Sequence, residues 1–188
     1  MKNQRRKDSS GYKMVLKKQF GRMFALNSKD EIIKNQTKRK DNIVYGGRSL
    51  KKQLGFLSRS TNDWDIISTK PRMDAVEVER KLDKIAGYNQ FYSRQSDFHK
   101  GTYKVIDKGP DYRRGTKDDV GIVDYSTPDR KLKTRRIDGI RYTKLSETVK
   151  DKKKAIADPQ FEFRKKKDQE DLIRINFGRK VMRVLNKK

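Results

Sequence analysis

The sequence predicts a mixed α/β fold in which a short mixed sheet is flanked by helices, with a basic N-terminal arm and a helical C-terminal segment. Short apolar runs suited to strands alternate with stretches of helical period. The length of 188 residues fits one domain with extensions, and a hydrophobic content of 32 % can bury one modest core. We predict an arm over residues 1–28, a core over 29–144 and a helical segment with a basic tail over 145–188.

Two helices and one strand are predicted after the polar, basic arm. Ser28 can cap a helix over 29–36, because Glu31 stands three residues later, as in a capping box. Ile43–Tyr45 form a strand that a Gly-Gly pair stops. The next helix is predicted to start near Ser49, where leucines recur at helical spacing.

The middle of the chain alternates strand and helix. Trp64–Ile67 predict a strand, and apolar residues at helical spacing predict a helix that begins after Pro71 and ends at Gly87. Strands follow at Tyr103–Ile106 and Gly121–Tyr125, with a turn-rich segment between them.

The C-terminal part is predicted to be mainly helical. A strand at Ile140–Tyr142 precedes a helix over 146–157, Pro159 interrupts, and a final helix covers 163–177. No internal repeat of useful length is present, which argues against a solenoid.

Charge is distributed unevenly along the chain. Positions 1–60 hold 17 basic and 4 acidic residues, positions 61–120 hold 12 and 11, and positions 121–188 hold 21 and 10. The net charges of these parts are therefore +13, +1 and +11. Basic flanks attract polyanions, and a nearly neutral centre leaves acids that can hold divalent cations. From charge alone, the alternative is a purely structural nucleic-acid-binding or capsid-lining protein.

Composition excludes several kinds of chemistry. The chain has no cysteine and a single histidine, His99, which rules out disulfides, thiolate nucleophiles and multi-histidine metal sites. A surface or packing role is favoured for His99. The sequence contains no run of 18 apolar residues and no signal peptide. We therefore expect a protein without a membrane partner that is not secreted and lies in the cytoplasm or within a nucleoprotein particle or virion.

Glycines and acids form the candidate site. Gly46 and Gly47, between a strand and a helix, let the backbone approach a phosphate at a helix N-terminus, and Ser49 adds a hydroxyl. Asp63 and Asp65 project from one face of a strand, where they can share a divalent cation. Each pattern alone is more often a loop or a solvated acidic pair. A third acid, Asp124, lies on a strand that could be adjacent, and three carboxylates can hold two Mg²⁺ ions.

The order of these motifs resembles a known family. Gly-Gly-x-Ser-Leu at 46–50, a helix, and Arg-x-Thr-x-Asp-x-Asp-Ile at 59–66 resemble the signature of the DNA polymerase-beta-type nucleotidyltransferase superfamily, and within it the abortive-infection type IV toxin group. Further similarities lie at 120–125, the family's third-carboxylate strand, at 137–140, 145–147 and in Lys-Asp-x-x-Asp-Leu at 167–172. The resemblance spans about residues 43–175.

The resemblance implies metal-dependent transfer of a nucleotide from an NTP to an acceptor hydroxyl, with RNA favoured as the acceptor. Asp63, Asp65 and Asp124 would bind Mg²⁺ or Mn²⁺, and Asp124 would also help to deprotonate the acceptor. Lys152 or Lys153 would neutralise phosphate charge. The triphosphate would be held by Gly46, Gly47, Arg48 and Ser49. Arg48 replaces a residue that is usually small, so it either crowds the triphosphate or donates to it.

Basic side chains in both flanks are predicted to bind nucleic acid, with RNA favoured and a protein or RNA assembly as a further partner. They are Arg5, Arg6, Lys17, Lys18, Lys38, Arg39, Lys40, Lys154, Lys165 and Lys166. Four aromatic residues, Tyr88, Phe91, Tyr92 and Phe98, could form a base-stacking platform, but core packing is the favoured interpretation. The alternative function is a catalytically silent nucleotidyltransferase-fold protein that binds nucleic acid as a structural component of a virion or ribonucleoprotein particle.

Overall fold

A computed structural model describes residues 5–185 and confirms the mixed α/β class. Within these residues the helices are α1 (Arg5–Arg39), α2 (Gly46–Leu54), α3 (Pro71–Ala86), α4 (Leu145–Ala157) and α5 (Lys165–Leu185). The strands are β1 (Ile43–Tyr45), β2 (Trp64–Ile67), β3 (Phe91–Gln95), β4 (Thr102–Asp107), β5 (Val120–Ser126), β6 (Thr134–Ile137) and β7 (Ile140–Thr143). Short 3₁₀ helices cover Gly55–Leu57 and Pro159–Arg164. None of the helices in residues 5–185 combines the length and the apolar character needed to cross a membrane.

The chain forms two compact units. Unit 1 consists of the described residues up to Gln36 together with Lys70–Thr127, and unit 2 consists of Thr37–Thr69 together with the described residues from Pro128 onward. Each unit is therefore built from two separate pieces of the chain.

Unit 1 contains an antiparallel sheet with the order β3-β4-β5. Helix α3 packs on these strands, and its apolar side forms part of a core that includes Ala75, Val78, Leu82, Phe91, Val105, Ile122 and Val123, all fully buried. The C-terminal part of α1 is tied to this core, because Gln36 donates to the Asp74 carbonyl oxygen at 3.0 Å and accepts a hydrogen bond from the Tyr125 hydroxyl.

Unit 2 contains a mixed sheet with the order β2-β1-β7-β6. Strand β1 pairs antiparallel with β2 and parallel with β7, and β6 pairs antiparallel with β7. Leu50 and Leu54 of α2 form a buried cluster with Ile175 of α5. A Cβ built at Gly178 would lie 2.7 Å from Leu54 Cδ2, so glycine permits the close approach of α5 to α2.

Most predicted elements are confirmed. The strands at Ile43–Tyr45 and Trp64–Ile67 have the predicted bounds, and β4, β5 and β7 contain the other three predicted strands. Helix α3 begins at Pro71 and ends before Gly87, which adopts a left-handed φ of 79°. The predicted helix over 146–157 is α4, which starts one residue earlier.

The structure differs from the predicted local structure in four places. The predicted arm is helical from Arg5, so Ser28 lies inside α1 and caps nothing. Helix α2 starts at Gly46 instead of near Ser49 and ends before Gly55, because a φ of +58° stops the helix there. Helix α5 covers Lys165–Leu185 instead of 163–177. Strands β3 and β6 were not predicted, since their sequences, FYSRQ and TRRI, lack a clear polar-apolar alternation.

Candidate active site

The junction between β1 and α2 is built around Gly46. This residue has a φ of +61°, a backbone conformation that favours glycine. A Cβ built there would lie 2.9 Å from Asp65 Cγ and closer still to the carboxylate oxygen Oδ2. Glycine therefore allows the first turn of α2 to pack directly against the Asp65 carboxylate.

The neighbouring glycine leaves room for the side chain that holds Asp63. A Cβ built at Gly47 would lie 2.9 Å from Thr61 Oγ1, and this buried hydroxyl donates to Asp63 Oδ1 at 2.6 Å. Burial by itself would raise the pKa of Asp63, but the Thr61 hydrogen bond and the charges of Lys167 and Arg59 lower it below its usual range. Asp63 is consequently a carboxylate at neutral pH.

Burial alternates around β2 as the sequence predicts. Trp64 is 2 % exposed and Ile66 is fully buried, whereas Asp65 is half-buried and Asp63 is exposed. The apolar side chains thus join the core, and the two acids lie on the other side of the strand.

Arg48 contacts the segment that carries Asp63. Its Nε donates to the Asp63 carbonyl oxygen at 3.2 Å, and its Nη2 donates to the Asn62 carbonyl oxygen at 3.2 Å. The guanidinium carbon lies 4.5 Å from the centre of the Trp64 ring, a cation–π distance. Arg48 therefore fixes the backbone that leads into β2. Whether it crowds a triphosphate or donates to it stays a prediction.

Ser49 lies in the interior of unit 2. Its Oγ is fully buried, sits 3.1 Å from both the carbonyl oxygen and the Oγ1 of Thr143, and accepts a hydrogen bond from Gln53 at 3.0 Å. These contacts tie α2 to β7. The predicted contact between Ser49 and a triphosphate stays a prediction.

The third predicted carboxylate belongs to the other unit. Asp124 lies on β5 of unit 1, opposite Lys104 on β4, and the two side chains form an ion pair at 3.0 Å. In the part of the chain that the structure describes, no three side chains of His, Cys, Asp or Glu form a ready-made metal cluster. The role of Asp124 stays a prediction.

The two candidate lysines of α4 differ sharply in environment. Lys152 is buried, and its Nζ lies 2.7 Å from Asp168 and 2.8 Å from Asp171. Arg164 donates to the same Asp168 carboxylate at 2.8 Å. Burial alone would raise the pKa of Asp168, but the hydrogen bonds from Lys152 and Arg164 lower it. Lys152 thus joins α4 to α5, while Lys153 is exposed.

The predicted nucleic-acid-binding side chains are mostly at the surface. Lys17, Lys38, Arg39, Lys154 and Lys166 are exposed. Lys18 lies over the Tyr112 ring at 5.3 Å, Lys165 pairs with Glu162 at 3.1 Å, and Lys40 is half-buried. Arg5 and Arg6 lie outside the residues whose side chains are described.

The core-packing interpretation of the aromatic residues is confirmed for Phe91 and Tyr92, which are 0 % and 6 % exposed. Tyr88 is half-buried and donates to the Lys18 carbonyl oxygen at 2.8 Å, whereas Phe98 is 88 % exposed. These four residues therefore do not form one exposed platform.

Three residues around Asp63 were not assigned site roles from the sequence. Thr61 binds its carboxylate, and Lys167 and Arg59 supply positive charge near it. A threonine two residues before an acid is a local pattern that could have indicated the first contact. The charge contributions could not be read from the sequence, because Lys167 follows Asp63 by more than a hundred positions.

Asp63 and Asp65 supply oxygen donors of the kind that a divalent cation binds, and their predicted role as metal ligands stays a prediction. Carboxylate oxygens are the donors that Mg²⁺ and Mn²⁺ prefer. Within unit 2 the Asp65 carboxylate lies against Gly46, and the Asp63 carboxylate accepts a hydrogen bond from Thr61, which lies against Gly47.

Comparisons with known proteins identify the fold. No protein-family model and no curated protein matches this chain. Among solved structures it is similar to the Megavirus polyadenylate synthase, with a TM-score of 0.62 and 21 % identity over 93 % of this chain and 37 % of that chain. It is also similar to JHP933 from Helicobacter pylori, with a TM-score of 0.47 and 18 % identity over 73 % of this chain and 59 % of that chain.

This chain therefore spans little more than a third of the polyadenylate synthase. The similarity shows a shared fold and confirms the nucleotidyltransferase fold predicted from the sequence. The finer resemblance to the abortive-infection type IV toxin group stays a prediction.

Proposed function

We propose that this chain transfers a nucleotide from an NTP to an acceptor hydroxyl, with RNA as the favoured acceptor. The observation that carries the proposal is the junction of β1 and α2. There the backbone at Gly46 packs on the Asp65 carboxylate, and Gly47 packs on Thr61, which holds Asp63. A helix N-terminus beside two carboxylates suits a triphosphate that is bound together with a divalent cation.

Each residue of the junction has a proposed task. Asp63 and Asp65 would hold Mg²⁺ or Mn²⁺, which supplies stabilisation of phosphate charge when bound. The backbone N–H groups at the start of α2 would bind phosphate oxygens. Arg48 would keep the segment before β2 in place.

Two further proposals concern residues outside the junction. Lys153 is a better candidate than Lys152 for neutralising phosphate charge, because Lys152 is held by two buried carboxylates. Asp124 is proposed as the third carboxylate from its sequence context. A separate Asp124→Asn variant, assayed for nucleotide incorporation, tests this role.

Two observations support RNA as the acceptor. The flanks at 1–60 and 121–188 carry net charges of +13 and +11, which favour a polyanionic partner. The structural relative described above is a polyadenylate synthase. Its name states that it makes polyadenylate, and we propose a polynucleotide acceptor for this chain as well.

Incorporation of a labelled NTP into a single-stranded RNA oligonucleotide tests the proposal. We expect incorporation that requires Mg²⁺ or Mn²⁺ and that Asp65→Asn abolishes. Asp97→Asn is the matched control, because it makes the same charge change at an exposed acid of unit 1. Equal incorporation by both variants would remove Asp65 from the mechanism.

The second candidate function is the catalytically silent nucleic-acid-binding component. It is favoured by the internal contacts of Ser49 and Lys152, two residues predicted to act on phosphate. Calorimetric titration of an NTP with Mg²⁺ separates the two functions. Binding by the wild type that is lost in the Asp63→Asn/Asp65→Asn variant supports the transferase. Salt-sensitive RNA binding without NTP binding supports the silent component.

A further inference from the structure

An exposed phenylalanine follows the interruption between α4 and α5. The Asp158 carboxylate accepts a hydrogen bond from the Gln160 backbone N–H at 3.0 Å and fixes the start of the 3₁₀ helix. Phe161 departs from helical geometry, with φ −107° and ψ 20°. Phe163 is left 85 % exposed, with its ring centre 6.4 Å from that of Phe161. The Phe163 ring is thus presented almost completely to solvent.

Positive charge follows this ring immediately, in a run of four cations over 164–167. The first two are anchored, since Arg164 donates to Asp168 at 2.8 Å and Lys165 pairs with Glu162 at 3.1 Å. Lys166 and Lys167 are exposed. The first pair is therefore engaged in ion pairs, and the second pair presents charge to solvent.

The run also lies within electrostatic range of the candidate site. Lys167 is one of the charges that lower the pKa of Asp63. A polyanion bound along the run would therefore cancel part of the positive charge that acts on this acid.

We infer that Phe163, Lys166 and Lys167 form a surface that binds single-stranded RNA, with a base stacked on the phenylalanine ring and neighbouring phosphates on the two lysines. We call these three residues the stacking surface. Bases of a single strand are free to stack on an aromatic side chain, whereas those of a duplex are not. A protein partner would need a larger continuous apolar patch than one exposed ring that is followed by a run of cations. That this RNA is the nucleotide acceptor rests on the proposed function.

Fluorescence anisotropy with a short labelled single-stranded RNA tests the stacking surface. The titration is made in EDTA and without NTP, so catalysis does not enter. Loss of one stacked base is worth about 1–3 kcal/mol, so Phe163→Ala should weaken binding about 5- to 150-fold. Phe163→Trp should bind at least as well as the wild type, because the indole ring also stacks. Phe98→Ala is the matched control, since Phe98 is equally exposed in unit 1.

The salt dependence of RNA affinity tests the roles of Lys166 and Lys167. For single strands the log-log slope changes by about 0.7 for each phosphate that is neutralised, so Lys166→Gln/Lys167→Gln should make the slope shallower by about 1.4. Duplex RNA should respond to the lysine variant and not to Phe163→Ala. This difference separates stacking from general charge attraction.

Several outcomes would overturn the inference. Single-strand affinity of Phe163→Ala within twofold of the wild type would do so, as would an equal loss in Phe98→Ala or an equal loss for duplex RNA. Unchanged RNA affinity combined with loss of self-association in sedimentation would assign the ring to a protein contact. These experiments measure RNA binding in the absence of nucleotide transfer. They therefore test the stacking surface even if the proposed transferase activity is not found.

Discussion

The buried ammonium of Lys152 is the contact whose removal should most affect stability. We expect Lys152→Met to destabilise unit 2, because the substitution leaves Asp168 and Asp171 without their shared cation. The side chains of Lys152, Asp168 and Asp171 are 8 %, 0 % and 1 % exposed, so water cannot replace the lost contacts.

The size of the effect follows from the remaining partners. Removal of one member of a buried ion pair costs about 3–5 kcal/mol. Arg164 still donates to Asp168 at 2.8 Å, and Arg59 lies 3.4 Å from Asp171, which places the expected loss at the lower end, about 3 kcal/mol. This is a large part of the about 5–15 kcal/mol that stabilises a typical domain.

Urea unfolding measures the effect through the fluorescence of Trp64, the single tryptophan of the chain, which lies in unit 2. Lys153→Met is the matched control. It removes the same charge from the exposed neighbouring position and should change the free energy of unfolding by about 0.5 kcal/mol or less. Lys152→Met/Asp171→Leu should recover part of the loss, because an apolar side chain replaces an uncompensated charge.

The effect should depend on pH with a defined sign. The pKa of Asp168 is lowered in the folded wild type, so its contribution to stability is present above the unfolded pKa of about 3.9 and is lost as the pH falls through the lowered value. The difference between the wild type and Lys152→Met should therefore be largest near neutral pH and shrink in acid. If Lys152→Met unfolds like Lys153→Met at neutral pH, the structural role is refuted and Lys152 becomes a candidate for binding phosphate again.

Three other perturbations give direct readouts. In urea unfolding, Gly46→Ala should destabilise unit 2 more than Gly55→Ala does. Both glycines have a positive φ, but only a Cβ at Gly46 would collide with Asp65. Equal losses of unfolding free energy would contradict the close packing of Gly46 on Asp65. Arg48→Lys should change Trp64 fluorescence and weaken Mn²⁺ binding measured without NTP, while an effect on NTP affinity alone would assign Arg48 to the triphosphate. Burial raises the pKa of Tyr88 to about 12, so an ultraviolet titration should show one tyrosine that ionises near this pH and is missing in Tyr88→Phe; its contribution to stability should be complete below pH ~10 and disappear as the pH rises through the folded value.

Local sequence patterns predicted the centre of each unit better than its ends. Trp64–Ile67 alternates between buried and half-buried positions, and Gly87 ends α3 with the backbone conformation that glycine favours. Both elements were therefore predictable from a few neighbouring residues. Strand β6 has two arginines and pairs with β7 on one side, a pattern that depends on its neighbour more than on its own sequence.

The contacts that candidate-site side chains make with distant residues could be identified only from the fold. The glycines and the two acids are close in the sequence, and their spacing predicted that they would meet. By contrast, the burial of Ser49 depends on Thr143, and that of Lys152 depends on Asp168 and Asp171. Both residues have types that bind phosphate, and only tertiary packing distinguishes a phosphate ligand from an internal contact.

The arrangement of unit 2 in two pieces of chain has a consequence for the order of folding. Ser49 and Thr143 are 94 positions apart, and the parallel pairing of β1 with β7 joins the same two pieces. On the ribosome, the pairing of β1 with β2 can form early, but α2 must wait for β7 before Ser49 is enclosed. Contacts of such long range slow folding, because the loop between them must close first. Residues 70–127 emerge during this delay, so unit 1 can complete its own sheet before unit 2 is closed.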